Sequence, residues 1–165
     1  MAAELPARGK RTTMLMKTKI SAKETDKTAR AAGKHVLPVR VYYEDTDAAG
    51  VVYYANYLGF AERGRTELLR ELGANHHDLK ANHNLLFAVK KLVVDYQSPA
   101  RLDDLIEVET EVTACGAATL DMRQIIRHEG KPLAVMAVTL VTISTEGKVL
   151  RMPKEWRAVL RARCI

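Results

Sequence analysis

The chain has 165 residues, enough for one domain with a buried core and too few for two. Its 26 Lys/Arg against 20 Asp/Glu give a formal charge of +6, yet residues 1–35 hold nine of those bases and three of the acids, so residues 36–165 balance at seventeen of each. The remainder therefore offers no overall case for nucleic acid, the two cysteines lack the CxxC spacing of a zinc site or disulfide framework, and no apolar run approaches the ~20 residues that cross a bilayer.

Residues 1–35 read as a leader rich in Ala, Thr and Lys, whose longest apolar run is Met14, Leu15 and Met16. A secretory signal needs an apolar stretch of about 7 to 15 residues, so the expectation is a disordered basic tail on a cytoplasmic protein. Glu4, Glu24 and Asp26 set it apart from a mitochondrial-type transit peptide, and Met14 or Met16 offers an alternative start.

In residues 35–43, Val39, Val41 and Tyr43 alternate with Arg40, Tyr42 and Glu44, which predicts a strand. An acidic loop follows, with Glu44, Asp45 and Asp47, and ends at Ala48, Ala49 and Gly50. Over residues 53–72, Tyr54, Tyr57, Leu58, Ala61, Leu68, Leu69 and Leu72 recur at helical spacing. That predicts a helix of about five turns, closed by Gly73 and edged by Glu62, Arg63, Arg65, Glu67, Arg70 and Glu71.

Downstream, β-branched enrichment and alternation predict strands at residues 85–97, 105–115, 118–128 and 132–144. The breaks at residues 98–104 with Pro99, at Gly116 and at residues 129–132 with Gly130 fit turns. Short connections make neighbouring strands antiparallel, so the predicted class is α+β: a meander curved around one helix, residues 36–165 forming the domain. The nearly unbroken apolar residues 138–143 predict a central strand, covered on one face by the helix and on the other by a partner subunit. Pro153 opens a short terminal helix from its first position.

A carboxylate held just ahead of a helix start sits beside unpaired backbone N–H groups and the positive end of the helix dipole. Such a pair can attack a carbonyl, or activate water against it, while the N–H groups hold the carbonyl oxygen. The plainer reading of Asp47 is a turn or capping aspartate. Glu44, Asp45 and Asp47 could also hold Mg²⁺, although no phosphate-type machinery accompanies them. Asp45 reads as a solvent-facing acid that positions the loop, Tyr53 and Tyr57 as packing residues, and Tyr54 as a site-lining one.

The order strand, acidic loop, long helix, four-strand meander resembles the hotdog fold. Residues 43–57, YEDTDAAGVVYYANY, resemble the signature of its 4-hydroxybenzoyl-CoA thioesterase family, and within it most resemble the bacterial Tol-Pal system-associated acyl-CoA thioesterases. Residues 60–69 (FAERGRTELL) and 93–104 (VVDYQSPARLDD) extend the similarity, which covers roughly residues 36–155 and leaves the leader without a counterpart.

The resemblance implies hydrolysis of acyl-CoA to a free acid and coenzyme A, without metal or organic cofactor. The family's catalytic carboxylate falls on Asp47, as nucleophile or general base, and its oxyanion-binding N–H falls on Tyr54. Tyr43, Gly50, Val51 and Val52 are the corresponding substrate-binding positions, with N–H groups around residues 52–54 facing the carbonyl. Many Tol-Pal type members have His where this chain has Tyr54, whereas the hydroxybenzoyl-CoA branch has Tyr. The departure keeps a backbone donor and removes an imidazole. Implied partners are acyl-CoA, other copies of the chain in a dimer or tetramer, and acyl carrier protein; a non-catalytic acyl-CoA or acyl-carrier-protein binder is the alternative. Lys90, Lys91, Arg63, Arg65, Arg101 and Arg123 are candidates for the coenzyme phosphates. The acyl pocket could be aliphatic or aromatic.

Overall fold

A computed structural model of the chain describes residues 33–74 and 76–165. The expected leader lies outside the described residues up to residue 32. Strand β1 (His35–Arg40) leads into a 3-10 turn (Tyr43–Asp45), the long helix α1 (Asn56–Glu71) and a short helix α2 (His76–His83). Strands β2 (Leu86–Tyr96), β3 (Leu105–Cys115), β4 (Thr119–His128) and β5 (Lys131–Ile143) follow, and helix α3 (Lys154–Arg161) ends the chain. The five strands form one antiparallel sheet in the order β1-β3-β4-β5-β2, an α+β hotdog arrangement.

The meander expectation holds for β3, β4 and β5 and fails for β2, which pairs with β5 at the far edge. Crossing three inter-strand spacings takes about 14 Å, and the residues 97–104 link can span roughly 25 Å, so no tight hairpin is forced. The link is also held elsewhere: Ala100 accepts from the Val52 N–H at 2.9 Å and donates its own N–H to the Tyr57 hydroxyl at 2.8 Å. The central strand is consequently β4, not the segment 138–143. Within that segment Val138, Leu140 and Thr142 are buried while Thr139, Val141 and Ile143 are half-buried, so one face is packed and the other is partly open.

Helix α1 stops where glycine spacing predicts. Gly73 takes φ 84°, its N–H bonds to Arg70 O at 3.0 Å and the Ala74 N–H to Leu69 O at 2.8 Å, a Schellman closure. The start is three residues later than expected, at Asn56, because Tyr54 and Ala55 form a turn instead. Helix α2 was not foreseen from the sequence, since it buries only Leu79 and carries little periodicity. Pro153 occupies the N-cap of α3, one position before the expected one.

The concave face of the sheet packs on α1 through Tyr57, Phe60, Ala61, Leu68 and Leu69. A buried polar chain crosses the same interface: the Arg65 guanidinium donates to Gln124 Oε1 at 2.7 Å, and Gln124 Nε2 donates to Thr110 Oγ1 and Ala61 O, both at 2.9 Å. Arg65 also pairs with Glu62. Burial among these partners withdraws Arg65 from the coenzyme-phosphate candidates, and Arg123 reaches toward Glu111 at 3.8 Å.

At the far end of α1, Glu71 accepts from His35 Nδ1 at 2.9 Å and from Arg163 at 2.7 Å, joining β1, α1 and the C-terminal segment. Partial burial raises its carboxyl pKa, but the hydrogen bonds from His35 and Arg163 outweigh that and hold it below the ordinary 4.5. A carboxylate with a depressed folded pKa stabilises the fold above its unfolded value and loses that contribution as pH falls through the folded one. Urea unfolding of Glu71→Gln is expected to show a loss of about 1.5 kcal/mol at pH 7 that vanishes well below pH 4. An equal loss at both pH values would refute the linkage.

Candidate active site

The loop between β1 and α1 is pinned at both ends. The Val41 N–H donates to Asp104 O at 2.9 Å and the Asp103 N–H to Val41 O at 3.1 Å. Asp45 positions the loop as expected, but from inside it: at 7% exposed it is an internal staple and does not face solvent. Its Oδ2 accepts the Tyr42 N–H at 2.8 Å, and its main-chain oxygen accepts both the Tyr53 N–H and Asn56 Nδ2 at 2.9 Å. Loop and helix start are thereby fixed to each other by two side chains, of which Asn56 belongs to the first turn of α1.

Two residues on, the Asp47 N–H donates to Val51 O and the Gly50 N–H to Asp47 O, each at 2.9 Å, with Gly50 in the left-handed region at φ 71°. Glycine takes that conformation without steric cost. Asp47 Oδ1 accepts the Ala49 N–H at 2.8 Å, which sets the side-chain rotamer. Asp47 Oδ2 accepts no hydrogen bond among the described residues. The carboxylate is exposed and lines a cleft of about 450 Å³ with Tyr43, Thr46, Ala48, Gly50 and Leu102. Tyr43 as a whole is 82% exposed.

Tyr54 lies on a second cleft, of about 280 Å³, with Val52, Tyr57, Tyr96, Gln97, Ser98 and Pro99. One protomer thus brings Asp47, Tyr43 and Gly50 together on one cleft and Tyr54 and Val52 on another. Val51, half-buried and bridged to Arg101, separates them. Of the backbone donors expected across residues 52–54, the Val52 N–H is engaged by Ala100 O and the Tyr53 N–H by Asp45 O. The Tyr54 and Ala55 N–H groups have no acceptor among the described residues, and no side chain caps the helix.

The tyrosines divide in a way sequence did not show. Tyr57 is in the core, its hydroxyl accepting from Ala100, and burial raises its pKa above the ordinary 10. Tyr53, expected to pack, is half exposed, because the Asp45 bond turns its backbone and leaves the ring against Tyr54 with centroids 4.7 Å apart. Tyr96, which the sequence reading did not single out, donates its hydroxyl to Tyr54 O at 2.9 Å and packs edge-on to the Tyr54 ring. Its place in the VVDYQSP stretch was the available signal. Among the described residues no group of three or more His, Cys, Asp or Glu side chains is placed to hold a metal ion, and no helix is long and apolar enough to cross a membrane.

A carboxylate with one free oxygen, a nearby helix start with open N–H donors and an apolar aromatic margin are the parts an acyl-transfer site requires. A family model described as the thioesterase-like superfamily matches residues 41–162. The chain belongs to the thioesterase-like superfamily. It is 45% identical over 123 residues to the acyl-CoA thioesterase YbgC of Haemophilus influenzae, covering 74% of this chain and 90% of that one. It is 47% identical over 104 residues to the acyl-CoA thioester hydrolase YbgC of Escherichia coli O6:H1, covering 63% and 77%. Among solved structures, the "probable thioesterase" of Bartonella henselae superposes with a TM-score of 0.71 at 37% identity, over 73% of this chain and 99% of that one. The acidic-loop signature therefore identified both the superfamily and the fold correctly.

Proposed function

We propose that this thioesterase-like protein hydrolyses acyl-CoA thioesters with Asp47 as its reacting carboxylate. The observation that carries the reading is that the one β1-to-α1 connection presents both an Asp47 oxygen and a Tyr54 N–H without a hydrogen-bond partner among the described residues, each on its own cleft of the protomer. Similarity to an acyl-CoA thioesterase and an acyl-CoA thioester hydrolase, over most of the described chain, supports the substrate class.

A thioester carbonyl is electrophilic enough to be cleaved by one carboxylate with good oxyanion binding. Asp47 attacks the carbonyl carbon to form a mixed anhydride that water opens, or removes a proton from water as it attacks. In either route a carbon–oxygen bond forms, the carbon–sulfur bond breaks, and coenzyme A leaves as the thiol. The Tyr54 N–H holds the developing oxyanion; one such donor is commonly worth about 2.7–4 kcal/mol. Tyr43, Gly50, Val51 and Val52 line the substrate path.

The two clefts of one protomer divide the site's residues, and strand β2 presents an edge unpaired among the described residues, with Val89, Val93 and Tyr96 exposed, so the working form is a homo-oligomer, dimer or tetramer. Acyl carrier protein is the alternative thioester carrier. The reading places residues 36–165, behind a basic leader, in the cytoplasm with no metal or organic cofactor. A panel of short, long and aryl acyl-CoA substrates, followed by thiol release, tests it. Turnover of at least one member is expected, and tight binding with no thiol released from any member would leave a non-catalytic acyl-CoA binder instead.

A further inference from the structure

The net charge of this chain is distributed in three blocks. Residues 1–32 carry eight bases and three acids, residues 148–165 carry six bases and one acid, and the stretch between them carries twelve bases against sixteen acids. The C-terminal block lies at one pole of the fold, the same pole at which the described chain begins. Gly33, where the described chain begins, abuts Ile165 and the Arg163 carbonyl. Cys164 forms a parallel β-bridge with Val112, the Ile165 N–H donates to Val112 O, and Arg161 Nε donates to Cys115 O, so the last described residues lie against the final residues of β3. The Met152 N–H donates to Ala117 O, bringing residues 148–152 to the same end.

Ion pairing leaves this pole charged. Arg163 is matched by Glu71 and Lys34 by Glu111, whereas Lys148, Arg151, Lys154, Arg157 and Arg161 have no carboxylate within ion-pair distance among the described residues. Lys154, Arg157 and Arg161 stand at i, i+3 and i+7 on α3, one flank of that helix. Between these bases Val149 and Ile165 are 67% and 64% exposed. The candidate active site is at the opposite end of β3, beside Asp104 and Leu102, roughly 30 Å away along that strand. The pole is therefore not arranged to meet the phosphates of a coenzyme bound at its own protomer's Asp47.

We propose that this basic pole docks the protein on an anionic lipid bilayer, with the active-site end turned away from the surface. Clustered bases are drawn to anionic headgroups within a Debye length, and exposed aliphatic side chains among them enter the interfacial layer. Single-stranded nucleic acid, the other polyanion, is bound through stacking aromatics as well as bases. The exposed aromatics Tyr42, Tyr43, Tyr53, Tyr54 and Tyr96 all lie at the active-site end; Trp156 on α3 is half-buried against the core, and the large apolar side chains the pole exposes are aliphatic.

The test is co-sedimentation of the full chain with vesicles containing about 30% phosphatidylglycerol in phosphatidylcholine, and with pure phosphatidylcholine, at about 50 and 500 mM salt. Binding is expected only to the anionic vesicles and only at the lower salt. Replacing Lys148, Arg151 and Lys154 by Gln is expected to weaken binding by roughly 100-fold, at about five-fold per base. A charge-matched control, Lys90→Gln with Lys91→Gln and Lys131→Gln, is expected to weaken it by less than about five-fold. Three results would overturn the proposal: no binding at low salt, equal loss in the control, or displacement from vesicles by a single-stranded RNA that binds more tightly through the same bases.

Discussion

Asp47→Asn is expected to lower kcat for acyl-CoA hydrolysis by about three orders of magnitude or more while leaving the melting temperature within about 1 °C of the parent. The substitution is nearly isosteric and keeps the contact that sets the rotamer, because an amide oxygen can accept the Ala49 N–H as Oδ1 does. Since the side chain is exposed, its folded-state contacts are few and stability is insensitive to it. The amide, however, is neither a nucleophile nor a base, and Oδ2, the oxygen without a partner among the described residues, is the atom whose chemistry disappears. Loss of a positioned general base typically costs 10²–10⁴-fold, and loss of a nucleophile costs the whole route. The measurement is steady-state turnover on the best acyl-CoA of the panel, alongside thermal unfolding. A variant within about ten-fold of the parent would remove Asp47 from the mechanism, and one that fails to fold would assign it to the loop's structure.

Much of this architecture was legible in the residues, and the failures have identifiable causes. The long helix and its glycine closure follow from 3.6-residue periodicity and the left-handed φ at Gly73, both local properties. The pairing of β2 with β5 is not local. Nothing in residues 97–104 announces that Ala100 will be held by Val52 and Tyr57, and without that knowledge the nearest strand looks like the natural partner. The same limit applies at the site. Spacing put Asp47 before the helix, but it could not assign opposite roles to two aspartates separated by one residue, since burial of Asp45 depends on Tyr53 and Asn56 returning to its carbonyl. Helix α2 had too weak an apolar stripe to be seen, and Tyr96 acquires its contact with Tyr54 only through the tertiary fold.

Gly64→Ala is expected to destabilise the protein by about 2–3 kcal/mol, against the ordinary preference of a helix interior for alanine. On propensity alone the change should stabilise α1 by about 1 kcal/mol. A Cβ built at Gly64, however, falls 2.7 Å from Val108 Cγ1, 2.9 Å from Thr110 Oγ1 and 3.3 Å from Gln124 Nε2. Carbon pairs prefer about 3.5–4.0 Å, so α1 has to lift from the sheet by close to an ångström, in a core too dense to absorb it. The lift also strains the Thr110–Gln124–Arg65 chain, and a guanidinium that loses its acceptor while buried incurs a desolvation cost. Overpacking and polar disruption together exceed the propensity gain, and Gly64→Val should be worse still. Gly59→Ala is the internal control: it lies on the same helix, and apart from its chain neighbours and the helix's own backbone no described atom stands within 4 Å of the added carbon. That variant is expected to be neutral or up to about 1 kcal/mol more stable in urea unfolding. If both alanines behaved alike, the close approach of α1 to β3 and β4 at Gly64 could not be what sets the depth of the helix in the sheet.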